Sequence, residues 1–273
     1  MTTNGNQKLD KASSKWDDND VRKLIEASGI EIVDGRIVLP EYCRSVRLDV
    51  GLSVNAPQSA VWLSRDTTLH VFGFEPVSEN RKMIVRGDAP WPINLDPELI
   101  GKRVNIIPCA LMEKSTYEGL DIYVTKKDPG CSSLLKPKSF EIDYIERVEV
   151  ATLNEFLEYF PFNVVPYISH LKIDVQGADI QVLEGGLDFL DRIMSITSEV
   201  DTIEYEKTRN STRALTEMLK PYGFVLLKKH FLAKLILRLR GVRISVEADD
   251  PTFLNLRLFK NEKPNNFWIY QRG

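Results

Sequence analysis

The chain has 273 residues, 43% hydrophobic and 27% charged, which suits one sizeable α/β core with elaborations rather than a string of domains. Its 36 Lys and Arg against 39 Asp and Glu leave a net charge of -3, without the basic field that a general nucleic-acid binder uses to displace phosphate counterions. The cysteines (Cys43, Cys109, Cys131) and histidines (His70, His170, His230) are too scattered for a disulfide framework or a structural zinc site, and no apolar run is long enough to span a membrane.

Residues 1–17 are polar, lack the apolar stretch of a secretory signal and read as a disordered tail. Residues 18–44 read as an extension. A helix over Asp17–Ser28 opens on acids that suit its dipole, and a hairpin turns at Asp34-Gly35. From residue 45 to 273 strand-like and helical runs alternate. Strands are predicted at Val46–Val50, Leu69–Phe74, Val104–Ile107, Ile168–Asp174 and Ile193–Val200. Helices are predicted at Pro57–Ser64, Ser78–Val85 with Ser78 as cap, Thr152–Phe160 with a capping box to Glu155, Ala178–Gly186 and Ser211–Leu219. Residues 110–125 read as a hairpin turning near Glu118-Gly119, and 129–139 as a long loop over the sheet edge. Phe224–Lys228, Phe253–Leu258 and Phe267–Tyr270 are late strands. The alternation predicts an α/β fold whose central sheet is mostly parallel, with helices on both faces. Chemistry is then expected in the loops after the carboxyl ends of the strands.

Three of those strand ends carry polar signals. The first strand ends in Asp49 and turns through Gly51 into a helix, but the positions of a dinucleotide GxGxxG are taken by Ser53 and Ala56, which argues against NAD. The second ends in Glu75, where a carboxylate can accept hydrogen bonds from a ribose diol. The fourth ends in Asp174, followed by a glycine turn and a helix with an apolar stripe.

In this order, Asp49-Val50-Gly51, Phe74-Glu75-Pro76 and the run Lys172–Gly177 with Val182-Leu183-Glu184-Gly185 resemble the FkbM family of S-adenosylmethionine-dependent methyltransferases. Residues 148–157 and the Ser132-Ser133-Leu134 loop add to the likeness, which covers roughly residues 45–230. The chain departs from the family pattern at Ser53 (for Asn), Asn55 (for Gly), Gln176 (for Glu) and Asp179 (for Glu).

The resemblance implies a Rossmann-like class I methyltransferase fold with one late antiparallel strand. It implies S-adenosylmethionine as cofactor and a hydroxyl acceptor on a sugar, glycolipid or specialised metabolite. Asp49, Gly51, Ser53 and Asn55 would form the methionine side of the cofactor site. Glu75 would hold the ribose, and Cys109 and Ala110 would lie beside adenine. The candidate bases are Asp174, then Glu199, then His230. Asp174 with Glu199 could also hold Mg2+, though no metal is assigned. Two alternatives stay open: a nucleotide-dependent oxidoreductase, and a cofactor-binding protein without catalysis.

Residues 228–243 (KKHFLAKLILRLRGVR) suit a basic amphipathic helix inserted near 229–247. It would pack on the domain or on a second subunit of a homodimer, cover the acceptor site as a lid, or contact an anionic membrane peripherally through 229–243. The expected partner of the protein is a small-molecule or glycan acceptor, with no nucleic acid. The scattered cysteines fit a cytoplasmic setting.

Overall fold

The computed structural model describes residues 18–200, 204–227, 243–246, 250–262 and 268–271. The polar tail, His230 and nearly all of the basic amphipathic stretch lie outside the described residues. Only the last residue of that predicted helix, Arg243, is described. It opens a strand, β12 (Arg243–Val246), paired in parallel with β14 (Trp268–Gln271). Among the described residues no helix is long and apolar enough to cross a membrane.

Helix α1 (Asp18–Ala27) leads into the predicted hairpin, β1 (Ile32–Val33) and β2 (Arg36–Ile37). Asp34 (φ 50°) and Gly35 (φ 71°) are both left-handed, as the twist of a two-residue hairpin loop requires. The large sheet has seven strands in the order β11 (Phe224–Leu226), β13 (Thr252–Asn255), β10 (Ser195–Ser198), β9 (His170–Ile173), β3 (Ser45–Val50), β4 (Leu69–Phe74), β5 (Val104–Ile107). All run parallel except β13, which is antiparallel to both neighbours. The strands are buried on both faces, β4 at every position, so they read as continuous apolar runs rather than alternating ones.

One face packs Leu48, Phe72 and Leu171 against α1, α4 (Leu153–Glu158), α5 (Asp179–Glu184) and α6 (Thr212–Leu219). The other packs Val71 and Val104 against Trp62 of α2 (Pro57–Arg65) and Ile84 of α3 (Ser78–Arg86). Farther along, α7 (Leu256–Glu262) contributes Leu258 and Phe259 to a cluster with Met194 and Leu254. The capping box at Thr152 and Glu155 forms as expected. Predicted strand Phe253–Leu258 is shorter: it stops at Asn255, whose Oδ1 accepts from the Leu258 amide and starts α7 instead.

Two local expectations are corrected. Ser78 is the first residue of α3 and caps nothing; its amide donates to Glu146 from another strand. Residues 110–125 are not a hairpin. Ala110–Leu111 is a two-residue strand (β6) parallel to β8 (Ile142–Ala151), and Thr116–Thr125 is one long strand (β7) antiparallel to β8. Gly119 (φ 69°) is the bulge of that strand, where a Cβ would sit 2.5 Å from the Val148 carbonyl oxygen. The sequence hid β8 because its first half is solvated on both faces, so neither a period of two nor an apolar run marks it.

Candidate active site

A cleft of about 610 Å³, counting space open to solvent, lies at the carboxyl ends of β3, β4 and β9. Its walls include Gly51, Ser53, Glu75, Cys109, Ala110 and Asp174, and most of the remainder is apolar, with Phe74, Leu111, Ile122 and Leu134. Pro129, Gly130 and residues 132–134 also line it, so the loop expected over the sheet edge lies at the strand ends instead.

The β3–α2 turn is built backward from its neighbours. A Cβ on Gly51 (φ 84°) would fall 1.9 Å from the carbonyl oxygen of Asp174. Glycine is therefore required because a second strand's backbone crowds it, not because a ligand must approach. The amides of Gly51 and Leu52 donate to Phe74 O, and that of Ser53 to Glu75 Oε2 at 2.9 Å. Ser53 and Ala56 take left-handed backbone (φ 60° and 45°), the position where the family pattern has glycine being Asn55, which does not. Asn55 turns away from the cleft and donates to Ile93 O at 2.6 Å.

Glu75 is buried, with 3% of its surface exposed. Besides Ser53, it accepts from the Val77 amide (3.0 Å) and from Asn80 Nδ2 (3.2 Å) through Oε1. Burial pushes its carboxyl up to about 7, against the pull of these donors. Cys109 and Ala110 follow β5 on the same wall, the Cys109 thiol pushed up to about 12 by burial and hence neutral.

Beneath the floor, Asp49 and Lys172 are register partners on β3 and β9, so their side chains share one face. Asp49 is buried and accepts from Ser59 Oγ at 2.6 Å. Lys172 Nζ lies 3.2 Å from Asp49 Oδ1 and 3.3 Å from Asp174 Oδ2, and donates to Gly51 O at 2.7 Å. The Asp49 contact is an ion pair without a well-aimed hydrogen bond, since Asp49 Oδ1 has no donor directed at it. Burial opposes the ammonium charge, but Asp49 and Asp174 overcome it and raise Lys172 above the ordinary lysine range. Sequence reasoning read Lys172 only as part of a strand motif. Its role appears once β3 and β9 are paired.

On the far side, Asp174 is partly exposed (39% of its side chain). Gln176 Nε2 donates to Asp174 Oδ1 (3.0 Å) and to Glu199 Oε2 (2.9 Å). Burial, then the charges of Asp174 and Asp179, push Glu199 up to about 9. Asp179, fully buried behind them, is raised to about 7 by burial and by Asp174, while accepting from Ser198, the Glu199 amide and Asn210. The structure thus brings Asp174 and Glu199 together and sets Glu75 across the cleft. Among the described residues, no group of three or more His, Cys, Asp or Glu side chains is arranged to hold a metal ion.

The Methyltransferase FkbM domain model matches residues 49–226. The chain belongs to the FkbM methyltransferase family. It is accordingly a methyltransferase, and the oxidoreductase and non-catalytic readings fall away. This FkbM methyltransferase also resembles a solved protein, "Structure of an antibiotic related Methyltransferase", with 11% identity and a TM-score of 0.32 over 88% of this chain and 92% of that one. The comparison with curated proteins found no match.

Proposed function

We propose that this enzyme uses S-adenosylmethionine and methylates a hydroxyl of a sugar, glycolipid or other specialised metabolite. The observation that carries the donor reading is Glu75: one buried carboxylate in an otherwise mostly apolar cleft, beside the β3–α2 turn and across from Asp174. The donor set fits a nucleoside without phosphates. Glu75 has three donors and capacity for a further one from a ribose hydroxyl. The amides that would cradle a diphosphate are committed internally at positions 51, 52 and 53, and position 57 is a proline. The strand order, with antiparallel β13 between β10 and β11, supports a Rossmann-like class I methyltransferase architecture.

When bound, the donor supplies a methyl group already activated on a sulfonium. The chain's own work is positioning and proton removal. Glu75 orients the ribose, Ser53 and the Gly51 turn border the methionine side, and Cys109 with Ala110 walls the base. At the other end, Asp174 accepts the proton of the attacking hydroxyl. Glu199, carrying a proton near neutral pH, spares the site a second adjacent charge. All three cysteines are free thiols, which supports a cytoplasmic setting.

Titration calorimetry with S-adenosylhomocysteine tests the donor. Micromolar binding, weakened at least about tenfold by Glu75→Ala, is expected; absence of binding by the wild type refutes the donor reading. Methyl transfer to a panel of glycosides and other hydroxyl compounds, against matched amines and carboxylates, tests the acceptor class.

A further inference from the structure

We infer that Gln176 is the positioning residue of the proton-accepting pair: its amide, held in one orientation by the Tyr205 hydroxyl, sets Asp174 and Glu199 on two separate N–H bonds. The inference rests on the reading of Asp174 as base given above and adds what aims it.

Three observations carry it. First, both hydrogens of Gln176 Nε2 are spent, one on each carboxyl group, at 3.0 and 2.9 Å. Second, the amide is backed by the Tyr205 hydroxyl, 2.8 Å from Gln176 Oε1, which offers a donor to the oxygen end while the nitrogen end faces the carboxyls. Tyr205 is fully buried, which restricts the freedom of its ring to leave that contact. Third, Gln176 holds a left-handed backbone (φ 56°), a conformation that a non-glycine residue adopts only where its surroundings impose it. The surroundings are visible: Ser133 Oγ donates to the Gln176 carbonyl at 2.8 Å.

The same contacts tie the pair to the loop above the cleft. Tyr205 has one proton and a second acceptor, the Cys131 carbonyl at 2.7 Å, and Ser133 belongs to that loop as well. Ser133 thus holds the Gln176 main chain directly, and the Tyr205 proton is shared between the Gln176 side chain and the Cys131 carbonyl. A glutamate at 176, as in the family pattern, offers only acceptors to the two carboxyls. The amide is therefore a chemical departure and not a neutral stand-in: it donates where the acid would repel.

The test needs no acceptor. Carboxyl 13C resonances of the full chain, labelled at Asp and Glu, are followed through a pH titration in the wild type, Gln176→Leu and Tyr205→Phe. The amide hydrogen bonds favour the charged carboxylates. Gln176→Leu should therefore raise the Glu199 midpoint by about one pH unit, and Tyr205→Phe, which only frees the amide to rotate, should shift it less in the same direction. S-adenosylhomocysteine affinity should stay within about twofold in both variants. An unmoved Glu199 midpoint in Gln176→Leu overturns the inference. So does an unmoved midpoint in Tyr205→Phe, if the leucine variant does not fold. Loss of S-adenosylhomocysteine binding in the variants alone would make Gln176 part of the donor wall and overturn it too. Failure of the wild type to bind would strike the donor reading and leave the titration to decide this one.

Discussion

At the amino ends of the sheet strands, His70 sits buried between the Tyr42 hydroxyl and Asn105, and His170 lies buried with its Nδ1 2.7 Å from Ser195 Oγ. At the carboxyl ends, Glu75, Asp179 and Glu199 are buried or half-buried, with Lys172 threaded between Asp49 and Asp174. Both ends are polar and hydrogen-bonded, yet burial acts on them with opposite sign. It lowers His70 to about 4 and His170 well below the ordinary imidazole value, so both rings are neutral. It raises Glu75 and Asp179 to about 7 and Glu199 to about 9. One end holds two neutral histidines, with the buried Arg47 beside His170. The other holds acids poised to lose protons near the pH at which an enzyme works. Three non-glycine residues at the carboxyl ends, Ser53, Ala56 and Gln176, are also left-handed.

The contrast can be broken in graded steps. The largest effect is expected from Gly51→Ala, which drives a Cβ into the Asp174 main chain. A loss of more than about 4 kcal/mol is expected, read by denaturant unfolding. A loss under about 1 kcal/mol would mean that the two strand ends can part. Next, Lys172→Met strands Asp49 as a buried charge beneath the cleft and should cost about 3 kcal/mol or more. The matching double variant Lys172→Met with Asp49→Leu should recover much of it.

The sign of the pH dependence sharpens the comparison further. An acid whose folded midpoint is raised contributes stability fully present below its unfolded midpoint and lost as pH rises through the folded one. Glu75 should therefore destabilise the ligand-free protein between about pH 4.5 and 7, Asp179 from 3.8 to about 7, and Glu199 from 4.5 up to about 9. A histidine lowered on folding contributes stability present above its unfolded midpoint and lost as pH falls through the folded one, here from 6.5 to about 4 for His70. Thermal unfolding against pH should show a maximum near mild acidity. Glu75→Gln should flatten its alkaline limb, and His70→Gln its acid limb. If both variants alter the same limb, the two ends do not titrate independently. The smallest change is expected from Arg213→Ala, whose partner Glu217 lies one turn away in open solvent; the melting temperature should not move measurably.

Much of this is legible in the amino-acid sequence. The strands β3, β4, β5 and β9 are apolar runs stopped by turn signals, and the Asp34-Gly35 hairpin and the Thr152 capping box are local chemistry that tertiary contacts did not override. Glu75, Cys109, Ala110, Gly51 and Ser53 come together on one wall because the strands are parallel and consecutive, so that residues after their ends share one rim. At Gly119 the sequence suggests a turn where the structure has the bulge of β7, because a bulge glycine and a turn glycine have the same backbone requirement and differ only in what lies opposite.

What the amino-acid order alone determined, then, is the alternation of strands and helices, the carboxylates at the strand ends and the family to which they belong. These depend on periodicity and on chain-local chemistry, which survive in one dimension. Only the tertiary structure decided that Gly51 answers to Asp174, that Lys172 neutralises Asp49, that Asn55 faces away, and that Gln176 and Tyr205 grip the acid pair. Apart from the local bond of Gln176 to Asp174, those contacts join segments far apart in the chain, and their distance and direction are set by strand pairing and loop packing.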